Sequence, residues 1–209
     1  MVHIYRRMEK NKIIEGETSI TQKMKTKEDK VVVVCDIDGT IVPSIFTNNE
    51  DEKGYYLTDE FKSELEKLSV FEYCIRSFEL ITNRFETQWC FVTGRKASRY
   101  ENESRISLSH LPGEKVVFYY GEDLEYDLDV FVKWKADMLA SIVFNTTKGG
   151  DKIVLLTFED AEEVHDIWKK IIQGNSVFHF LVDREAPSEW WKEVYENFIL
   201  HFCRSAPNT

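Results

Sequence analysis

Three short stretches of this chain hold residues whose types could do chemistry together: Asp36-Ile37-Asp38-Gly39-Thr40, Thr93-Gly94-Arg95 and Glu159-Asp160. Each follows directly on an apolar run, residues 31–35, 88–92 and 152–158. Taken singly, each reads as a turn or a helix cap, a common use of Asp, Thr and Gly. Together they put carboxylates, and a hydroxyl beside a glycine, at the ends of three strands of the buried type. Residues two apart in a strand share a face, so Asp36 and Asp38 can approach one site if the chain turns away at Gly39. A carboxylate that attacks phosphorus forms an acyl phosphate, which water then cleaves. A second carboxyl is needed to protonate the leaving oxygen and afterwards to activate the water. A cation is needed as well, because one anion must approach another. Clustered carboxylates that offer only oxygen ligands suit Mg2+.

Such chemistry requires elements that bring several strand ends to one edge. The run VVVVC at 31–35 is a continuous β-branched stretch of the kind found in central parallel strands. Further strands are predicted over 88–92, 115–120, 152–157 and 176–182. Between them lie helical patterns: 58–68 aligns Phe61, Leu65 and Leu68, and 71–85 aligns Phe71, Ile75, Phe78 and Ile81. Stretches 129–144, 160–172 and 187–202 follow the same period. The last opens with Pro187, suited to a first helical turn, and its Trp190, Trp191, Val194 and Phe198 are expected in the core. Strand–helix alternation predicts an α/β fold: a three-layer, doubly wound parallel sheet of about five main strands covered on both faces. Ligands of such sheets bind beyond the carboxyl ends of the strands, where all three stretches fall. Residues 1–30 are polar and lack sustained periodicity. They are expected to form a flexible arm, either solvated or docking an acidic partner, with 31–209 as a single domain.

These residues, in this order, resemble the haloacid dehalogenase superfamily. The resemblance rests on DIDGT after an apolar strand, VTGR after a second, a lysine near a later helix start and an acidic pair after a further strand, and it covers roughly 31–182. It implies a Rossmann-like phosphatase with Asp36 as nucleophile and Asp38 as general acid/base. The Asp36 carboxylate and the Asp38 backbone carbonyl would bind Mg2+. Thr93 would hydrogen-bond the phosphate, helped by the Gly94 amide. An acid at the position of Asp38 favours phosphatases or phosphomutases over the dehalogenases and transport ATPases. The lysine, which would serve phosphate and catalysis, is Lys133 or Lys135; Lys135 lies 25 residues before Asp160, closer to the family's spacing. The acidic stretch TFEDAEE departs from the commoner GDxxxD pattern. Asp160 is the expected metal ligand, with Glu159 assisting or orienting a metal-bound water, and Glu162 and Glu163 are expected as first-turn helix acids. FEDAEEVH is also faintly similar to the Swiss Army Knife RNA-repair branch, where a histidine follows an acidic pair. His165 stands at that spacing, or is an ordinary histidine on a helix surface.

The spacings from Asp38 to Thr93 and from Arg95 to Lys133 leave no room for a large cap domain, only for a small flap around 43–56. An open site favours a bulky or macromolecular phosphate, a polynucleotide end or a phosphoprotein, because lids serve to enclose small substrates. The alternatives are a small-molecule phosphatase or nucleotidase and, from another class, a catalytically silent phosphate-binding module. The acidic run 122–129 is expected to be a solvated loop feeding a helix cap at Asp127 or Asp129. With 209 residues, 43% of them hydrophobic, the chain can fill one core. Its formal net charge of −10 repels nucleic acid and anionic lipid non-specifically. No stable nucleic-acid partner is expected on that ground, and an RNA or protein substrate would need a local cation. Cys35, Cys74, Cys90 and Cys203 form no CxxC pair or His/Cys cluster, which argues against zinc and for reduced core thiols in a cytoplasmic protein. No run approaches a membrane span, and the N-terminus is expected to carry no signal peptide.

Overall fold

Four consecutive valines and a cysteine, each fully buried, make the central strand of this protein. The computed structural model describes residues 30–45, 56, 58–111, 116–121, 127–148, 150 and 152–204, with side chains described up to 197. Among the described residues five strands lie in chain order as β1 (Lys30–Cys35), β2 (Glu86–Thr93), β3 (Val116–Tyr120), β4 (Ile153–Glu159) and β5 (Val177–Leu181). The helices among the described residues are α1 (Asp59–Lys67), α2 (Glu72–Arg84), α3 (Ala97–Ser107), α4 (Leu128–Thr147), α5 (Glu162–Ile171) and α6 (Pro187–Arg204). All strand pairs are parallel and the sheet order is β3-β2-β1-β4-β5.

Alternation along each strand divides the core into two layers. Val31, Val33 and Cys35 cluster with Cys74, Phe78 and Ile81 of α2 and Trp191 and Val194 of α6. Val32 and Val34 cluster on the opposite face with Leu139 and Ile142 of α4 and Val164 and Trp168 of α5. This is the three-layer α/β architecture expected from the strand–helix alternation. The chain steps outward from β1 through β2 to β3, then returns along α4 to enter β4 on the other side of β1. The order reverses between β1 and β4, and sheets of this kind open a crevice at that point. A third cluster joins α1 to α3 through Phe61, Leu65 and Tyr100 and includes Tyr56.

Element ends partly match expectation, with Asp127 one of the two acids expected to cap α4, and partly differ. The α4 N-cap is Asp127, whose side chain accepts from the amides of Asp129 and Val130 at 2.9 and 3.1 Å. Helix α5 starts at Glu162 rather than at Asp160, because the two preceding acids form the turn: Glu159 Oε1 accepts from the Ala161 amide at 3.2 Å. Strand β2 reaches Thr93, beyond 88–92 at both ends. The arm at 1–29, most of the flap (46–55 and 57) and the acidic loop at 122–126 lie outside the described residues. Tyr56, at the end of the flap, is buried, and its carbonyl accepts the Tyr100 hydroxyl. Cys35, Cys74 and Cys90 are buried free thiols. No helix among the described residues is long and apolar enough to cross a membrane.

Candidate active site

The register Cys35↔Phe158 and the hydrogen bond from the Asp36 amide to the Phe158 carbonyl (3.0 Å) set Asp36 beside Glu159 at the switch point. By alternation both carboxylates turn toward the layer that holds α4. There Lys135 Nζ donates to Asp36 Oδ1 at 2.8 Å and to Glu159 Oε2 at 2.6 Å. Lys135 and Glu159 are each 1% exposed. The lysine is held from behind, since Trp168 Nε1 donates to the Lys135 carbonyl at 3.1 Å and its Nζ lies 4.9 Å from the centre of the Phe131 ring. Lys133, two residues earlier on the same helix, is exposed.

After Asp36 the chain folds back on itself. The Ile37 carbonyl accepts from the amides of Thr40, Ile41 and Val42, and the Gly39 amide donates to the Val42 carbonyl. The reversal puts Gly39 at φ +80°, a conformation that glycine adopts without penalty. A Cβ there would also lie 2.5 Å from Asp160 Oδ2, so the absence of a side chain lets Asp160 close in. Thr40 Oγ1 donates to Asp160 Oδ1 at 3.2 Å, and Arg184 Nε stands 3.5 Å from Asp160 Oδ2. Trp191 Nε1 donates to the Thr40 carbonyl at 2.7 Å and so ties the loop to α6.

Carboxylate oxygens of Asp36, Glu159 and Asp160 lie within 4.8 Å of one another, and this acidic triad could hold a metal ion. Three carboxylates against the Lys135 ammonium and the outlying Arg184 guanidinium leave a surplus of negative charge, and the donors are all oxygen. Both features fit a hard divalent cation such as Mg2+. Burial raises the Asp36 carboxyl to about 6; Lys135 opposes the rise, while Asp160 and Asp38 add to it. Burial likewise raises Glu159 to about 8, again against Lys135 and with help from Asp36 and Asp160. Burial works against the Lys135 cation too, but the Asp36 and Glu159 charges outweigh it and hold the amine above its ordinary range. Burial thus pushes Glu159 toward its protonated form, while the carboxylates beside Lys135 favour its charged form.

The Asp38 side chain stands apart from the triad. Arg95 grips it with two parallel bonds, Nε to Oδ2 at 2.8 Å and a terminal nitrogen to Oδ1 at 2.7 Å. The guanidinium is buried and also donates to Ser104 Oγ on α3 at 3.0 Å. Burial disfavours its charge, yet Asp38 keeps it firmly cationic. Thr93 is fully buried, and its Oγ1 accepts from the Arg95 amide at 3.2 Å, which leaves its O–H free to donate elsewhere. At Gly94 a Cβ would meet the Phe131 ring at 3.0 Å, so the β2–α3 turn passes close under α4. Glu162 and Glu163 are exposed in the first turn of α5, as expected.

His165 differs from the surface histidine that its helical position suggested. It is 8% exposed and packs toward β5, and its Nδ1 is buried without a hydrogen-bond partner among the described residues. Burial lowers its pKa. Sequence reasoning assigned no role to Arg95, Arg184 or Thr40. For Arg95 a signal existed, since it stands next to the strand end that delivers Thr93.

No family model and no curated protein matches this chain. Among solved structures it is similar to a chain in a structure of the Pnkp1/Rnl/Hen1 RNA repair complex, at 17% identity and a TM-score of 0.45, covering 76% of this chain and 43% of that one. A second structure of the Pnkp1/Rnl/Hen1 complex gives 16% identity and a TM-score of 0.44, covering 73% of this chain and 45% of that one. This chain thus spans less than half the length of those chains, and at such a distance the likeness says nothing about activity.

Proposed function

We propose that this protein is an Mg2+-dependent phosphomonoester hydrolase of the haloacid dehalogenase type that works through an aspartyl phosphate. The observation that carries the proposal is the meeting of Asp36, Glu159 and Asp160 with the buried Lys135 at the switch point of the sheet. Asp36 is the nucleophile: its carboxylate oxygen bonds to phosphorus as the bond to the leaving oxygen breaks. Asp38 gives a proton to that leaving oxygen, then takes one from the water that attacks phosphorus and returns Asp36. Lys135 offsets the charge of Asp36 and of the incoming phosphate. The Thr93 hydroxyl and the Gly94 amide hold phosphate oxygens. Asp36, Asp160 and Glu159, with the Asp38 backbone carbonyl, would hold Mg2+, which supplies the positive charge that lets two anions meet. The substrate is a bulky or macromolecular phosphate, a polynucleotide end or a phosphoprotein, because the spacings from Asp38 to Thr93 and from Arg95 to Lys133 are too short for a large cap. Residues 31–209 act as one domain, with 1–30 as an arm.

A second proposal, a phosphate-binding module without turnover, draws on the Arg95–Asp38 pair. Both oxygens of the Asp38 carboxylate are taken up by the Arg95 guanidinium, whereas a general acid must present an oxygen to the leaving group. One assay separates the two: hydrolysis of an aryl phosphate with and without Mg2+, by the wild type and Asp36→Asn. Turnover that needs Mg2+ and falls by at least about a thousandfold in Asp36→Asn is expected of the hydrolase. An active Asp36→Asn protein, or a wild type without metal-dependent turnover, would sink the first proposal. Comparison of mononucleotides with phosphorylated oligonucleotides and phosphopeptides then sorts the substrate class.

A further inference from the structure

The β5–α6 connection, residues 182–186, leaves the sheet at the same edge as Asp36. Its start is fixed, because the Val182 amide donates to the Glu159 carbonyl at 2.8 Å. Its turn is fixed as well: Asp183 accepts from the Glu185 amide through its side chain at 3.0 Å and from the Ala186 amide through its carbonyl at 3.2 Å. The backbone of Arg184 is therefore placed, while its side chain is 63% exposed and makes one ionic contact, to Asp160 at 3.5 Å. Asp160 is 8% exposed at its side chain, so the guanidinium lies over the outer side of a sheltered carboxylate. The guanidinium is held by this single 3.5 Å contact, so a divalent cation that takes over Asp160 would free it at small cost.

Among the described residues of the strand-end loops, the basic residues are Arg95, Lys96 and Arg184. Arg95 is buried on Asp38, and Lys96 is half-buried at the start of α3. Arg184 is thus the exposed cation at the mouth of an acidic site in a chain of formal net charge −10. A guanidinium binds a phosphate group through paired hydrogen bonds, which an ammonium cannot match.

We infer that Arg184 is a displaceable cation: it rests on Asp160 in the metal-free protein and, once a divalent cation takes that carboxylate, turns to a second phosphate of the substrate beside the one attacked. This rests on the phosphatase proposal and adds to it a substrate class, phosphomonoesters that carry a neighbouring phosphate. The neighbour can be the next phosphodiester of a polynucleotide or the second phosphate of a nucleoside bisphosphate.

The test compares the wild type, Arg184→Gln and Arg184→Lys on three substrates: an aryl phosphate, a nucleoside 3′,5′-bisphosphate and oligonucleotides phosphorylated at either end. In Arg184→Gln, the preference for a two-phosphate substrate over the aryl phosphate, as a ratio of kcat/KM, is expected to fall about tenfold, mainly through KM. Arg184→Lys should restore part of it. The oligonucleotide and bisphosphate arms show which source supplies the second phosphate. Independently of activity, titration of the metal-free proteins with Mg2+ should show several-fold tighter binding in Arg184→Gln, since a competing cation has left Asp160. An unchanged ratio with an active wild type overturns this inference alone, as does weakened Mg2+ binding in the variant. A wild type inactive on all three substrates overturns the phosphatase proposal and this inference with it.

Discussion

Lys135 is shared between two carboxylates, and this sets the titration of the site. One buried ammonium serves both Asp36 and Glu159, so burial favours a proton on the drier of the two. Burial raises Glu159 to about 8 from 4.5, so the metal-free fold favours its protonated form, whereas the unfolded chain has released that proton above the ordinary glutamate range. Between those two values the folded state binds more protons than the unfolded one, so unfolding free energy falls as pH rises. The lowered pKa values of His165 and His179 act in the opposite sense, but only up to the ordinary histidine value of 6.5. Melting curves in chelator should accordingly show the wild type losing a few degrees of Tm between about pH 7 and 8.5. Glu159→Gln should lose less over the same interval, and Mg2+ should help the wild type more at the upper pH. Equal slopes for the two proteins would remove Glu159 as the buried proton carrier. Arg95 acts at this scale too, by fixing where the Asp38 carboxyl points. Arg95→Lys keeps a charge but loses the paired geometry. If Asp38 is the general acid, activity should fall roughly tenfold or more on an alkyl phosphate and less on an aryl phosphate, whose leaving group needs little protonation. A uniform loss across both would mean that Arg95 serves the fold rather than the proton.

The elements that deliver these residues were legible to different degrees. The strands announced themselves as apolar runs, and the residue after each run was visible by position alone. Thus the approach of Asp36 to Glu159 and Asp160 needed only parallel pairing of β1 with β4. The spacing that favoured Lys135 over Lys133 corresponds to a physical difference, since one faces the sheet and the other faces solvent. The placement of Arg95 on Asp38 and of Arg184 on Asp160 was not legible, because each depends on how a short loop turns after its strand. The burial of His165 was not legible either: α5 packs against both α4 and the sheet, so its apolar face is wider than the stripe that Val164 and Trp168 mark. The Asp36–Val42 loop illustrates the coupling between element and site. Gly39→Ala would add a methyl group 2.5 Å from Asp160 Oδ2, at a φ of +80° that alanine rarely adopts. The expected result is a loss of about 1–2 kcal/mol of stability and a weakened Mg2+ affinity, read by denaturation and by metal titration. Unchanged metal affinity would mean that Asp160 is not a ligand.

At the scale of the whole molecule, a formal net charge of −10 surrounds a site proposed to act on phosphates. The long-range field slows the approach of a polyanion, and added salt relieves that repulsion. Local contacts behave oppositely, since each phosphate neutralised on a single strand contributes a slope of about −0.7 in log affinity against log salt. A protein that grips a nucleic acid along a basic face makes many such contacts and loses affinity steeply as salt rises. Here, among the described residues, the strand-end loops offer one exposed cation, Arg184. The kcat/KM for a terminally phosphorylated oligonucleotide should therefore depend on salt only shallowly, with the two effects partly cancelling. Removing Arg184 should shift the slope upward by about 0.7, the share of one phosphate contact. The measurement is kcat/KM for wild type and Arg184→Gln over a range of monovalent salt at fixed Mg2+. A slope several-fold steeper than one contact allows would place the binding surface elsewhere on the chain. The same slope in both proteins would deny Arg184 its phosphate. A shallow wild-type slope that rises on substitution is the pattern of a site that recognises the end of a polyanion and leaves the rest in solvent.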